Sequence, residues 1–170
     1  RAVKRLGLGT LGDLPAAIAR PRYALGDLPV GIVHLGLGNF HRAHQAVYTD
    51  LTLDKQFGPW GIAAVSLRTR DAVDALVAQD GLYAFAAKEG SRMDLRVVGA
   101  IRQALFAPEA MAQVVASIAA PTTRIVTLTV TEKGYGYVPS TGDLDRANPD
   151  IARDLAHPAA PRTPASRPPS

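Results

Sequence analysis

The stretch GIVHLGLGNFHRAHQ, residues 31–45, constrains the fold more than any other part of the chain. It opens as a short apolar run, passes Gly36-Leu37-Gly38, and continues into a polar, basic segment with helical spacing. A buried strand handed to a helix through two glycines one residue apart is the opening unit of a sheet with crossover helices. Pro29 before the run and Gly38 after it mark its ends.

The rest of the chain repeats that alternation. Phe40, Ala43, Val47 and Leu51 draw one apolar stripe along a helix over 40–54. GIAAVSL (61–67) reads as a second buried strand, introduced by Gly58, Pro59 and Trp60. Asp71 stands at an N-cap position with Asp74 three residues on, and Val73, Leu76 and Val77 give that helix an inner face. Residues 82–87 and 95–101 read as two strands joined by the turn KEGSRMD, and Pro108 suits a first helical turn. Met111, Val114, Val115 and Ile118 then form a helical stripe, and RIVTLTV (124–130) a further strand. This order predicts an α/β fold: a Rossmann-like dinucleotide-binding domain with a mostly parallel sheet and a β-hairpin insertion. The apolar strands do not alternate, as expected where both faces of a parallel sheet are covered.

Composition narrows the classes. With 47% hydrophobic and 20% charged residues, the 170-residue chain has the make-up of a globular protein. No window approaches the roughly 18 apolar residues of a membrane span. The absence of cysteine excludes a disulfide framework, a thiolate nucleophile and Cys-ligated zinc, and makes a cytoplasmic setting the expectation. A net charge of +4 raises nucleic-acid binding, but the arginines are scattered from Arg1 to Arg167 and match no binding motif, so none is expected. His34, His41 and His44 lack a nearby carboxylate or cysteine at ligand spacing; no metal site is expected, and His34 reads as a strand residue with satisfied nitrogens.

Gly36-Leu37-Gly38 sits where a first strand meets a first helix, the context that gives a Gly-x-Gly signal meaning. One glycine permits the tight turn, and the second, lacking a Cβ, lets a pyrophosphate approach the backbone. His41 and Arg42 could add donors. His41 occupies the place of the usual third glycine, so spacing alone leaves a cofactor cradle and a plain strand-to-helix turn both open. The acid that would hold the adenosine ribose is missing from the end of the second strand, which reads Ser66-Leu67-Arg68. Asp71 could reach a ribose or simply cap its helix, and Arg68 with Arg70 could receive a 2′-phosphate, so NADP is not excluded. Thr131, Glu132 and Lys133 follow the last strand, on the side where open α/β sheets bind ligands, and a polar loop turned by Gly134 and Gly136 accounts for them equally well.

GIVHLGLGNFHRAHQAVYTD, with WGI, AQDGLY, RVVGAI and TRIVTLTVTEKGY…STGDLD, resembles the N-terminal half of the mannitol dehydrogenase family, the long-chain polyol dehydrogenases that include fructuronate (mannonate) reductases. The likeness runs from about Pro21 to Pro161, and the TEKGY form leans towards the fructuronate reductase and mannonate oxidoreductase branch. The resemblance implies NAD-dependent hydride transfer between a polyol or aldonate hydroxyl and the matching ketose or keto-acid, such as fructose or fructuronate. It implies that Gly36, Leu37, Gly38, Asn39, Phe40, His41 and Arg42 lie along the pyrophosphate, and Thr129, Thr131 and Glu132 near the nicotinamide.

In the family a Ser-Cys-Asp-Asn segment and a helical C-terminal domain follow, the latter supplying a lysine general base with asparagine and histidine partners. None of these is in this sequence, and Lys133 belongs to a different motif. The expectation is therefore a cofactor-binding half that is inactive alone, the alternative being a non-catalytic dinucleotide-binding module or inactive fragment. After residue 146 six of the thirteen prolines fall within 24 residues, and beyond Leu155 alanine is the only apolar type, too little to offset the entropy of ordering. Where the family continues as a helix, this chain turns to PASRPPS, the pattern of a truncated or frameshifted product. The expected division is an N-terminal extension over 1–28, the dinucleotide-binding domain over 29–146 and a disordered Pro-rich tail over 147–170.

Overall fold

In the computed structural model, residue 11 and residues 14–130 and 136–159 are described. The chain divides into two compact units, residues 1–128 and 129–170.

The first unit is built on four parallel strands: β1 (Val30–Leu35), β2 (Gly61–Ser66), β5 (Ile101–Phe106) and β6 (Ile125–Leu128). Their order in the sheet is β5-β2-β1-β6. In register, Val33 lies beside Ala63 of β2 on one side and Val126 of β6 on the other. The chain thus lays three strands down in one direction and then crosses back past β1, which is the Rossmann-like order. Between β1 and β2 run α1 (Asn39–Ala43) and α2 (Gln45–Lys55). After β2 comes α3 (Asp71–Val77), then an antiparallel hairpin of β3 (Tyr83–Glu89) and β4 (Arg92–Val98). The helix α4 (Ala107–Ala119) carries the chain from β5 to β6. All six residues of β2 are buried, as its unbroken apolar run requires.

One strand departs from the sequence reading. Residues 95–101 do not form a single strand: β4 ends at Val98, the chain corners at Gly99-Ala100, and β5 starts at Ile101 beside β2. Arg102 and Gln103 hid β5, because an edge strand tolerates half-buried polar residues that a central one does not.

The corner is fixed by a buried carboxylate. Asp50 of α2, fully buried, accepts from the Gly99 amide at 2.8 Å, from Tyr23 Oη at 2.5 Å and from Arg96 Nε at 2.7 Å. Arg96 also reaches Asp54, whose other oxygen accepts from the Arg22 amide. Burial and the neighbouring carboxylates push the Tyr23 phenol well above its ordinary range, so it stays a donor. This network, with a backbone pair between Ala19 and Val97, ties residues 19–23 of the expected extension onto α2 and the hairpin.

The expected stripe through 40–54 is also corrected. A break at His44 (φ −121°, ψ −86°) separates α1 from α2 and resets the phase. The inward residues become His41, Ala46, Val47, Asp50 and Leu53, while Phe40 and Leu51 face solvent. In α3 the N-cap is Arg70, not Asp71, and Val77 is exposed while Val73 and Leu76 are buried.

Within the second unit, α5 (Pro149–Ala156) lies where a disordered tail was expected. Asn148 caps it, accepting from the Asp150 amide at 2.9 Å, and Pro149 fills its first turn. The run Asn-Pro-Asp carries a helix start that the proline density obscured.

Candidate functional site

At the carboxyl end of β1 the chain leaves the sheet through Gly36, at φ +115°, a conformation that favours glycine. The amides of Gly36 and Leu37 both donate to the Val65 carbonyl of β2 at 2.9 Å, which pins the turn across two strands. The Leu37 side chain is buried in the core, so only its backbone faces the turn's open side.

Gly38 differs from Gly36. Its φ of −131° and ψ of −176° are open to any residue, and a Cβ there would meet only the Gly36 carbonyl, at 3.8 Å. Nothing among the described residues requires glycine at 38, and what its hydrogen leaves is room for an outside group to reach the backbone. Sheet order reverses at β1, between β2 and β6, and open α/β sheets hold ligands in the crevice at such a switch point. The residues present thus fit a dinucleotide pyrophosphate: a fixed turn, an unfilled Cβ position and the first amides of α1.

The following side chains divide. Asn39 and Arg42 face outward and pair, Arg42 Nη2 donating to Asn39 Oδ1 at 2.5 Å. Phe40 is 64% exposed and stacks on His44 at 4.3 Å. His41, expected as a phosphate donor, is 1% exposed and points into the core. There it stacks on His34 of β1, ring centroids 3.7 Å apart and planes 11° from parallel.

Two half-buried residues that the sequence reading passed over complete this cluster, Gln45 and Thr127. Gln45 Oε1 accepts from His41 Nδ1 at 3.2 Å and from the Thr127 hydroxyl at 3.1 Å. The Thr127 oxygen in turn lies 2.8 Å from His34 Nδ1. An amide oxygen only accepts, so the His41 proton sits on Nδ1, leaving Nε2 a bare, buried lone pair without a partner among the described residues. Burial, the stacked His34 and nearby Arg42 hold the His41 imidazole neutral, its pKa lowered to about 3, and burial lowers that of His34 too. The Gln45 signal lay in plain view, four residues after His41 on a helical reading; that of Thr127 was long-range and hidden.

Arg68 is exposed just past β2, and Asp71 is exposed at the first position of α3, where its charge suits the helix dipole. Arg70 is held by Asp74 and Glu109 and so is not a spare cation. Thr129 follows β6 and is exposed; Thr131 and Glu132, like Lys133, lie outside the described residues. Among the described residues no group of three or more metal-ligating side chains gathers, and no helix is long and apolar enough to cross a membrane.

The chain is similar to known proteins. The profile of the mannitol dehydrogenase Rossmann domain matches residues 30–166. A mannitol 2-dehydrogenase of Pyricularia oryzae is 41% identical over 168 residues, covering 94% of this chain and 34% of that protein. A D-mannonate oxidoreductase of Escherichia coli is 40% identical over 159 residues, covering 91% and 32%. The solved ternary complex of Pseudomonas fluorescens mannitol 2-dehydrogenase with NAD and D-mannitol matches with a TM-score of 0.75 at 39% identity, over 91% of this chain and 32% of that one. The chain spans about a third of the length of these relatives.

Proposed function

The chain belongs to the mannitol dehydrogenase family, and from that premise we propose that it forms the NAD-binding part of an oxidoreductase acting on a polyol or aldonate hydroxyl and the matching ketose or keto-acid. The observation that carries this reading is Gly38: an ordinary backbone conformation, no atom of the described residues to exclude a side chain, and glycine nonetheless, at the switch point of the sheet. NAD, when bound, supplies the acceptor for the hydride. The chain's own residues bind and orient it: the Gly36–Gly38 backbone and Arg42 along the pyrophosphate, Arg68 and Asp71 towards the adenosine ribose, and Thr129, Thr131 and Glu132 towards the nicotinamide. With Arg68 rather than a carboxylate at the end of β2, NADP is a second acceptable cofactor.

The reading places the acid–base chemistry outside these 170 residues. A positioned general base contributes roughly 100- to 10,000-fold, so the chain by itself should turn over little or no fructose, fructuronate or mannitol. A cytoplasmic setting is part of the same reading, supported by the absence of cysteine.

Fluorescence titration of the chain with NADH and, in parallel, NADPH tests it. Saturable binding is expected, weakened about tenfold or more (about 1.4 kcal/mol) in Gly38→Val. The variant should fold with unchanged stability, because valine is at ease at that φ and ψ. A folded chain that binds neither nucleotide, or a Gly38→Val chain that binds as well as the parent, overturns the reading. Binding without turnover after a separate C-terminal half is supplied favours a non-catalytic module.

A further inference from the structure

A side chain in the middle of the cofactor turn that never reaches its surface invites the question of what it does there. We infer that His41 is a positioning residue: stacked on His34 and bonded to Gln45, its neutral ring clasps the Gly36–Arg42 turn to β1 and β6 from inside the core and touches no ligand. The inference rests on the proposed cofactor reading for its consequence, but its geometry stands apart from it.

Four elements meet at the ring. From β1 it faces His34, from α2 Gln45, through Gln45 it reaches Thr127 of β6, and on its own helix the neighbouring charge is Arg42. The Arg42 carbonyl is itself held by Tyr83 Oη from the hairpin at 2.5 Å. Thr127 and His34 are register partners on β6 and β1, so the cluster lies across the strand pair at which the sheet order reverses. A turn anchored this way keeps one shape before any ligand arrives, which is how binding avoids the cost of ordering a loop.

The neutral state is part of the device. A proton on Nε2 would place an N–H with no acceptor among the described residues in the core and press a buried cation against the His34 ring. Such a ring cannot act as a cationic phosphate contact at ordinary pH. This distinguishes a clasp from a ligand.

The test uses the whole chain. In 1H–15N correlation spectra His41 should hold the Nδ1–H tautomer without inflection from pH 8 to 5; an Nε2–H form, or titration within that range, overturns the inference. In a His44→Gln background, NADH affinity should stay flat between pH 8 and 6, whereas a phosphate-touching imidazole would tighten binding as the pH falls. His41→Leu removes the donor while keeping apolar bulk. It should speed hydrogen exchange at the Leu37 amide and weaken NADH binding about fivefold, the effect of one lost hydrogen bond and its stack. His41→Asn, with a donor near the Nδ1 position, should recover most of both. A folded His41→Leu chain with parental exchange at Leu37 sinks the clasp. Should that variant not fold, the tautomer and the pH profile of the parent decide. If the parent binds no nucleotide, the functional reading fails, while the tautomer and exchange results still judge the clasp.

Discussion

Leu76 of α3 and Val115 of α4 are apolar residues on helices that flank one sheet, yet the first is 1% exposed and the second 58%. On the side of Leu76, the sheet residues Ile32, Ile62 and Ala64 join Leu53, Val73, Val98 and Ile101 in one buried cluster. Two helices and the hairpin's base supply that cover. On the other side, Val33, Ala63, Val65 and Leu105 are covered by Val114 and Ala107 of α4. Met111, Val115 and Ile118 of α4 remain exposed, as do Ile125, Val126 and Leu128 of β6. The difference teaches that apolar periodicity records a face suited to burial. Burial itself needs a second element, and among the described residues the outer face of α4 has none.

The closed side should therefore hold most of the folding energy, and its polar hub is the place to strike hardest. Asp50→Ala leaves Arg96, the Gly99 amide and Tyr23 Oη without their shared acceptor, though Arg96 keeps Asp54. A loss of about 4 kcal/mol is expected, since breaking a buried ion pair from one end strands the other. Urea unfolding followed by circular dichroism measures it; a loss under about 1 kcal/mol would mean that the corner at Gly99 stands without the carboxylate.

Leu76→Ala should cost about 3 kcal/mol in the same assay, the transfer of the side chain out of the core plus the cavity it leaves. Acid should act next. An unfolded histidine takes its proton near pH 6.5, whereas folded His41 resists protonation to about 3. Below pH 6.5 the unfolded chain thus holds more protons, and the stability present at neutral pH is withdrawn as the pH falls. At about 1.4 kcal/mol per pH unit, His41 alone accounts for about 2 kcal/mol between pH 6.5 and 5. Unfolding midpoints at pH 7.5 and 5 should draw apart in the parent and lie closer together in His41→Asn, where His34 still titrates out of the fold.

These contrasts bear on what the residues disclosed beforehand. The glycine-bounded or proline-bounded apolar runs that became β1 and β2 were legible because short-range chemistry sets them, and β6 was legible from its apolar, β-branched run alone. The parallel architecture and the Gly36–Gly38 turn followed from the same local signals. What stayed hidden depended on distant partners. β5 is a strand because β2 lies beside it, despite Arg102 and Gln103. His41 turned inward because His34 and Thr127, one seven residues back and the other on β6, make a polar pocket for it. A histidine after a glycine turn reads as a phosphate donor until those partners are in place. The helical stripe of 40–54 failed for a related reason, the break at His44, which no apolar periodicity records.

The open side supplies the smallest effect and the sharpest check on the comparison. Val115→Lys puts a charge on the exposed face of α4, where the valine gains little from burial and lysine has the better helix propensity. Stability should change by less than about 0.5 kcal/mol, in contrast with Leu76→Ala on the covered side. The same substitution interrupts the exposed apolar surface of Met111, Val115 and Ile118, so sedimentation at rising concentration should show less self-association than the parent. If Val115→Lys instead destabilised the chain as much as Leu76→Ala, the face would be covered in solution by a second copy. The contrast between the two sides would then belong to assembly and not to the fold of one chain.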